Sequence, residues 1–246
     1  MTGAAGTPTI VLVHGAFADA SSWNGVIERL QAKGLTVTAP ANPLRGITAD
    51  SAYLAAVLGQ IDGPVLAVGH SYGGAVITNA ATGAKNVVGL VYVAAFAPDE
   101  GEMLGAVEAA SKDSVLNSAL VPGQYPTPNG GSATEFSIDP AKVRDAFAGD
   151  LSDAVAALIG ATQRPVAELA FSEPNGAPAW KNLPAWSVVA TGDKAAGADV
   201  VRSMAQRAGA TITEIEGSHV IMISQPEAVT NVILAAVAAT SSGSVS

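Results

Sequence analysis

The stretch Val65 to Ala75, VLAVGHSYGGA, limits the possible folds of this chain more than any other. An apolar, β-branched run leads into G-x-S-x-G, and a helical pattern follows with no spacer. A turn that tight puts its central residue, Ser71, in a strained backbone conformation, and side chains two positions to either side would collide. Gly69 and Gly73 remove those collisions, while Gly74 and Ala75 let the helix pass close to neighbouring strands. The arrangement needs a strand that ends at a sheet edge with a helix folding back over it. It would present the Ser71 hydroxyl there, at the positive N-terminus of the helix. A bare G-x-S-x-G arises often by chance, and the strand–turn–helix context gives this one its weight as a nucleophile elbow.

The rest of the chain fits that demand. Short β-rich runs alternate with amphipathic helical patterns, which predicts a mostly parallel sheet covered by helices, an α/β fold. Strands are expected at Thr9–Val13, Leu35–Ala39, Val65–Gly69, Val87–Val93, Trp186–Thr191 and Thr211–Ile215, about six in all. Trp23, Val26, Ile27 and Leu30 share one helical face, as do Leu54, Val57, Leu58 and Ile61. Further helices are expected at Gly73–Ala81, Val200–Ala208 and Pro226–Ala238, the last introduced by a capping box from Ser224 to Glu227. From Glu100 to Leu183 no β-run is visible, and Val121–Ser132, with its prolines and glycines, looks too irregular for a helix. The organisation read from this is a core of residues 1–99 and 184–240, a helical cap insertion at 100–183, and a disordered tail at 241–246. An insertion at a strand's carboxyl end would lie over the crevice where such sheets bind ligands.

Composition removes several functions. Lys plus Arg is 12 and Asp plus Glu is 21, a net charge of −9, which argues against nucleic acid or an anionic membrane surface as partner. There is no cysteine, so thiolate catalysis, disulfides and cysteine-built metal sites are excluded. The three histidines, His14, His70 and His219, form no HxxxH pair, and no metal site is expected. The first residues carry neither a basic nor an apolar signal segment, and no apolar run spans a bilayer, so a cytoplasmic protein is expected.

A serine nucleophile needs a base. His70 adjoins Ser71, and its side chain leaves the turn in another direction. His14 ends the first strand, where its backbone is the better contributor. His219, in a loop between the last strand and the last helix, remains. The acid that orients it should follow a strand end between Ser71 and His219. Asp193, in Thr191-Gly192-Asp193, meets that description, with Asp99 and Asp199 as rivals. The oxyanion needs two backbone donors. One is the N–H of Tyr72, and the other lies in His14-Gly15-Ala16-Phe17, with Ala16 ahead of Phe17.

Taken together, H-G-A at His14–Ala16, Trp23, G-H-S-Y-G-G around Ser71, G-D at Asp193 and S-H at His219 resemble the α/β-hydrolase family in their order along nearly the whole chain. Within it, the sequence is similar to small cofactor-free esterases and to the methylesterase/hydroxynitrile-lyase branch. The resemblance implies a serine hydrolase acting on small carboxylic esters through an acyl-enzyme, with no cofactor. The same triad serves lactone opening, haloperoxidase-like perhydrolysis or cyanohydrin cleavage in relatives, and ligand binding without turnover is the alternative of another class. Two positions depart from the lyases, which carry threonine where Gly15 stands and lysine where Val220 stands. Lys194–Gly197, after the acid, lacks the proline common in relatives. An apolar pocket lined by Phe17, Tyr72 and insertion residues, with Trp180 foremost beside Phe96, Phe147, Leu151 and Phe171, is expected to receive the substrate.

Overall fold

A computed structural model describes residues 6–241. In chain order it contains β1 (Thr9–Val13), α1 (Asn24–Ala32), β2 (Val37–Thr38), α2 (Ile47–Leu58), β3 (Val65–His70), α3 (Tyr72–Ala80) and β4 (Val87–Val93). The segment after β4 adds α4 (Leu104–Ala109), β5 (Leu120–Pro126), β6 (Ser132–Ile138), α5 (Val143–Ala146), α6 (Asp153–Thr162), β7 (Val166–Ala167) and α7 (Leu169–Ser172). Then come β8 (Ala185–Ala190), α8 (Ala198–Arg207), β9 (Thr211–Ile215), α9 (Ile221–Ser224) and α10 (Pro226–Ser241).

Six strands form one parallel sheet in the order β2-β1-β3-β4-β8-β9. The apolar runs seen in the sequence supply its interior: β3 and β8 are buried at every position, as strands covered on both faces should be. Helices α1 and α10 pack together on the sheet, and α2 packs on α3. The chain leaves β1 toward β2 and returns to β3 on the other side, so the order reverses at β1. Ligands bind at the carboxyl ends of strands beside such a reversal. In register, Val13 lies opposite Gly69, so the loop after β1 emerges beside the elbow after β3. Ala190 lies opposite Ile215, which brings out the Asp193 and His219 loops side by side.

The inserted segment differs from the expectation of a purely helical cap. It carries α4 to α7 but also a three-stranded antiparallel sheet, β5-β6-β7. Val121–Ser132, expected to be too irregular for a helix, is mostly a hairpin strand and its turn, with Thr127 N–H donating to the Gly131 carbonyl at 2.9 Å. Pro122, Gly123 and Pro126 disguised the strand, but β5 is an edge strand of its sheet, where a missing N–H is tolerated. The expected strand Leu35–Ala39 shrinks to the two residues of β2. Ser224 closes α9 rather than capping α10, so the expected capping box does not form there. Ser241 ends α10 instead of opening a tail, and 242–246 lie outside the described residues. Among the described residues no helix is long and apolar enough to cross a membrane.

Candidate active site

Ser71 occupies the turn between β3 and α3 with φ 53° and ψ −124°, a region costly for any residue with a Cβ, by about 1–3 kcal/mol. Backbone hydrogen bonds hold it there: its carbonyl accepts from Gly74 N–H at 2.9 Å and Phe96 N–H at 3.3 Å. The glycines are required by contact. A Cβ on Gly69 would sit 2.5 Å from the Gly73 carbonyl oxygen, and one on Gly74 2.5 Å from the Phe96 carbonyl oxygen.

His219 Nδ1 lies 2.8 Å from Asp193 Oδ2, with both side chains buried. The other carboxylate oxygen, Oδ1, accepts from Ala195 N–H at 2.9 Å and Ala196 N–H at 3.0 Å. Asp193 is thus engaged at both ends, and its orientation leaves Nδ1 of His219 as the protonated nitrogen. The two rival acids are occupied elsewhere. Asp99 pairs with Lys181 at 2.6 Å, and Asp199 accepts from Ser111 Oγ at 2.5 Å and Lys112 N–H at 2.9 Å.

The other two histidines build the surroundings. Buried His14 accepts the Asn42 N–H on Nε2 at 2.9 Å, which leaves its Nδ1 proton for the Gly15 carbonyl, also 2.9 Å away. Burial holds its imidazole below the usual histidine value. His70 donates from Nε2 to the His219 carbonyl at 2.9 Å, tying the residue before the serine to the backbone of the histidine loop. Burial, reinforced by the nearby His219, depresses His70 strongly, so it remains neutral. Gly15 packs against Ser71 so closely that a Cβ there would sit 2.7 Å from Ser71 Cβ.

Among the described residues no hydrogen bond engages the N–H of Ala16, Phe17 or Tyr72. Tyr72 is the first residue of α3, whose opening N–H groups have no helical acceptor. Phe17, in the loop after β1, adopts φ 60°. The Tyr72 side chain does not line a pocket as expected. It is fully buried, and its hydroxyl donates to Asp50 Oδ2 at 2.8 Å. Asp50 also accepts from the Arg45 N–H, and burial raises its carboxyl above the usual range. Asp50 stands four residues before Leu54 on the apolar stripe of α2. An acid on such a stripe was the available sign of a buried, partnered carboxylate.

Two cavities involve the inserted segment, one shared with the sheet core and one enclosed within the segment itself. The first, about 300 Å³, is lined by Phe17, Phe147, Val155, Leu158, Ile159 and Val220 among others. Two of its lining rings, Phe17 and Phe147, meet edge-to-face at 6.1 Å, and Phe147 lies 5.0 Å from the His219 ring. The second, about 480 Å³, is lined by Leu116, Leu120, Phe136, Phe171, Glu108 and Asn117 among others. Of the aromatic and aliphatic residues expected around one pocket, Phe17 and Phe147 line the first cavity, Phe171 lines the second, and Phe96, Leu151 and Trp180 line neither. Trp180 is a packing residue whose indole N–H donates to the Pro98 carbonyl at 3.0 Å. Sequence reasoning also missed Asp150, which accepts a short hydrogen bond from Ser218 beside His219.

The fold is shared with solved structures. Polyneuridine aldehyde esterase superposes with a TM-score of 0.79 at 22% identity, covering 94% of this chain and 99% of that one. A pyrethroid hydrolase from Sphingobium faniae gives 0.75 at 20%, with 94% and 98% covered. Tomato methylketone synthase I, as a histidine-to-alanine variant complexed with β-ketoheptanoate, gives 0.75 at 20%, with 95% and 99% covered. At these identities the likeness is one of fold. No curated protein matches the sequence significantly. The family model described as alpha/beta hydrolase family matches residues 10–232, nearly the whole span from β1 to α10, and the chain belongs to that family.

Proposed function

We propose that the chain is a serine hydrolase that cleaves small carboxylic esters through an acyl-enzyme, with Ser71, His219 and Asp193 as its triad. The observation that carries this reading is the Asp193 carboxylate, held by two backbone N–H groups on one oxygen and by His219 Nδ1 on the other. That arrangement leaves the Nε2 lone pair to take a proton. Ser71 Oγ attacks the ester carbonyl as His219 accepts its proton, and the Asp193 charge stabilises the imidazolium that forms. The N–H groups of Tyr72 and Ala16 receive the negative charge on the carbonyl oxygen. His219 then protonates the departing alcohol, and a water activated by the same imidazole releases the acid. Side chains and backbone N–H groups suffice for every step, and the scheme assigns no cofactor.

The cavity lined by Phe17 and Phe147, whose ring lies 5.0 Å from that of His219, is the candidate site for the departing alcohol. Among the described residues Asp19 is the one charged side chain lining that cavity, so it suits an uncharged, apolar leaving group. Cyanohydrin cleavage with the lyases' residues does not fit: a threonine side chain at Gly15 would strike Ser71, and buried Val220 supplies no ammonium. The test is turnover of p-nitrophenyl esters of graded chain length by the protein and by Ser71→Ala. Hydrolysis by the first and not the second supports the proposal. Saturable binding of esters without turnover by either would instead support a ligand-binding protein, and equal rates would remove Ser71 from the mechanism.

A further inference from the structure

The inserted segment reaches the Asp193 loop through one serine. Ser114 Oγ is 2.7 Å from the Ala195 carbonyl oxygen and within hydrogen-bond distance of Glu108 Oε1. It also accepts from Leu116 N–H at 3.2 Å. A serine hydroxyl carries one proton, and a carbonyl oxygen carries none to give. If Ser114 donates to Ala195, the hydrogen bond to Glu108 needs a proton from the carboxyl group. If it donates to an ionised Glu108, two bare acceptor oxygens face each other at 2.7 Å. Only the first arrangement satisfies every atom. Glu108 Oε2 meanwhile accepts from Asn117 Nδ2 at 2.6 Å.

The peptide unit that receives this proton bears directly on Asp193. The carbonyl of Ala195 and the N–H of Ala196 belong to the same peptide, and that N–H donates to Asp193 Oδ1 at 3.0 Å. Holding the carbonyl aims the N–H, and hydrogen bonds in series polarise one another. Val115 N–H, next in the chain, donates to the Lys194 carbonyl at 2.8 Å and fastens the same loop.

We infer that Glu108, held as a neutral carboxylic acid, and Ser114 are positioning residues for the Asp193–His219 pair, acting through the Ala195–Ala196 peptide. The inference rests on the triad proposed above. Glu108 is buried on α4, four residues after buried Leu104, and burial raises its carboxyl above the ordinary value. Charged side chains on the elements around it are Glu168 beyond the shared cavity, Lys112 and Asp113 in the following loop, Lys194 after Asp193, Asp199 on α8 and Glu135 on β6. Among the described residues none of these pairs or hydrogen-bonds with Glu108. Glu135 is taken by Arg45, and Asp199 by Ser111 and Lys112.

Glu108→Gln is the discriminating variant. Its amide can donate to Ser114 and accept from Asn117, reproducing the neutral acid but never ionising. It should keep the wild-type kcat at neutral pH and lose any fall in kcat that wild type shows as pH rises. Ser114→Ala and Glu108→Ala should lower kcat on the order of 10-fold with KM unchanged, the lower end of what losing a group that orients a metal ligand costs, taken as the scale for an orienting contact. Infrared difference spectra of wild type against Glu108→Gln should show a protonated-carboxyl band at neutral pH that disappears on alkalinisation. Absence of that band, or a Glu108→Gln variant as impaired as Glu108→Ala, would overturn the inference. The infrared result does not depend on ester turnover, so failure of the triad reading would be seen separately, as wild-type activity in Ser71→Ala.

Discussion

Replacing Asp193 by Asn changes one atom and reverses the chemistry of the pair. Asp193 Oδ1 faces two N–H donors and Oδ2 faces one imidazole nitrogen. The asparagine carbonyl must therefore take the Oδ1 position, because the opposite rotamer would set an NH₂ against two N–H groups. Each donor left unpaired there would cost about 1–3 kcal/mol. The NH₂ then meets His219 Nδ1, which can only accept from it. The ring proton moves to Nε2, the nitrogen that must receive the Ser71 proton. The expected loss in kcat is on the order of 10⁴-fold, the size the same change produces in a serine protease triad. At 1.36 kcal/mol per decade that is about 5.4 kcal/mol of transition-state stabilisation. Steady-state hydrolysis of p-nitrophenyl acetate would measure it, with circular dichroism confirming the fold. Asp99→Asn, which disturbs a surface pair with Lys181 and a local hydrogen bond from Glu100 N–H, should stay near wild type. Activity of Asp193→Asn within tenfold of wild type, or a larger loss in Asp99→Asn, would refute the reasoning.

Gly15→Ala puts a Cβ 2.7 Å from Ser71 Cβ, so kcat should fall sharply while the fold, read by circular dichroism, survives. Phe147→Ala and Leu158→Ala should change the preference among esters of graded alcohol size about 10–200-fold, the range one or two pocket contacts command, as read from kcat/KM ratios. Because burial raises the Glu108 carboxyl, the stability it lends is full below its ordinary value of 4.5 and is lost as pH rises through its folded value. The melting temperature of Glu108→Gln relative to wild type should accordingly climb across that window and level off above it. Asp150→Ala, which frees Ser218 beside His219, should lower kcat more than it changes KM.

What was legible in the sequence was whatever one segment decides by itself. The elbow is local: Gly69, Ser71, Gly73 and Gly74 specify the turn wherever the rest of the chain goes. The β-branched runs at Thr9–Val13, Val65–His70 and Val87–Val93 are apolar on both faces and could only be central parallel strands. Strand order then puts the His14, Ser71, Asp193 and His219 loops at one end of the sheet, the arrangement on which the proposed role of His219 rests. The inserted segment was not legible because its signals conflict. In β5, prolines mask a strand that is tolerated only because it is an edge, a fact belonging to the tertiary structure. Trp180 looked like a pocket aromatic, but its indole satisfies a carbonyl in a loop 82 positions away. Likewise nothing local joins Glu108 to Ala195 or Asp150 to Ser218, since those contacts form only when the insertion closes on the sheet.

The central claim is that Ser71 becomes acylated, and covalent labelling tests it most directly. The wild-type protein, incubated with a fluorophosphonate, should gain the mass of one phosphonyl adduct by intact mass spectrometry, mapped by peptide digestion to Ser71. Ser71→Ala should gain none, and Asp193→Asn should label far more slowly than wild type. An adduct on any other residue, or labelling of Ser71→Ala at the wild-type rate, would contradict the account.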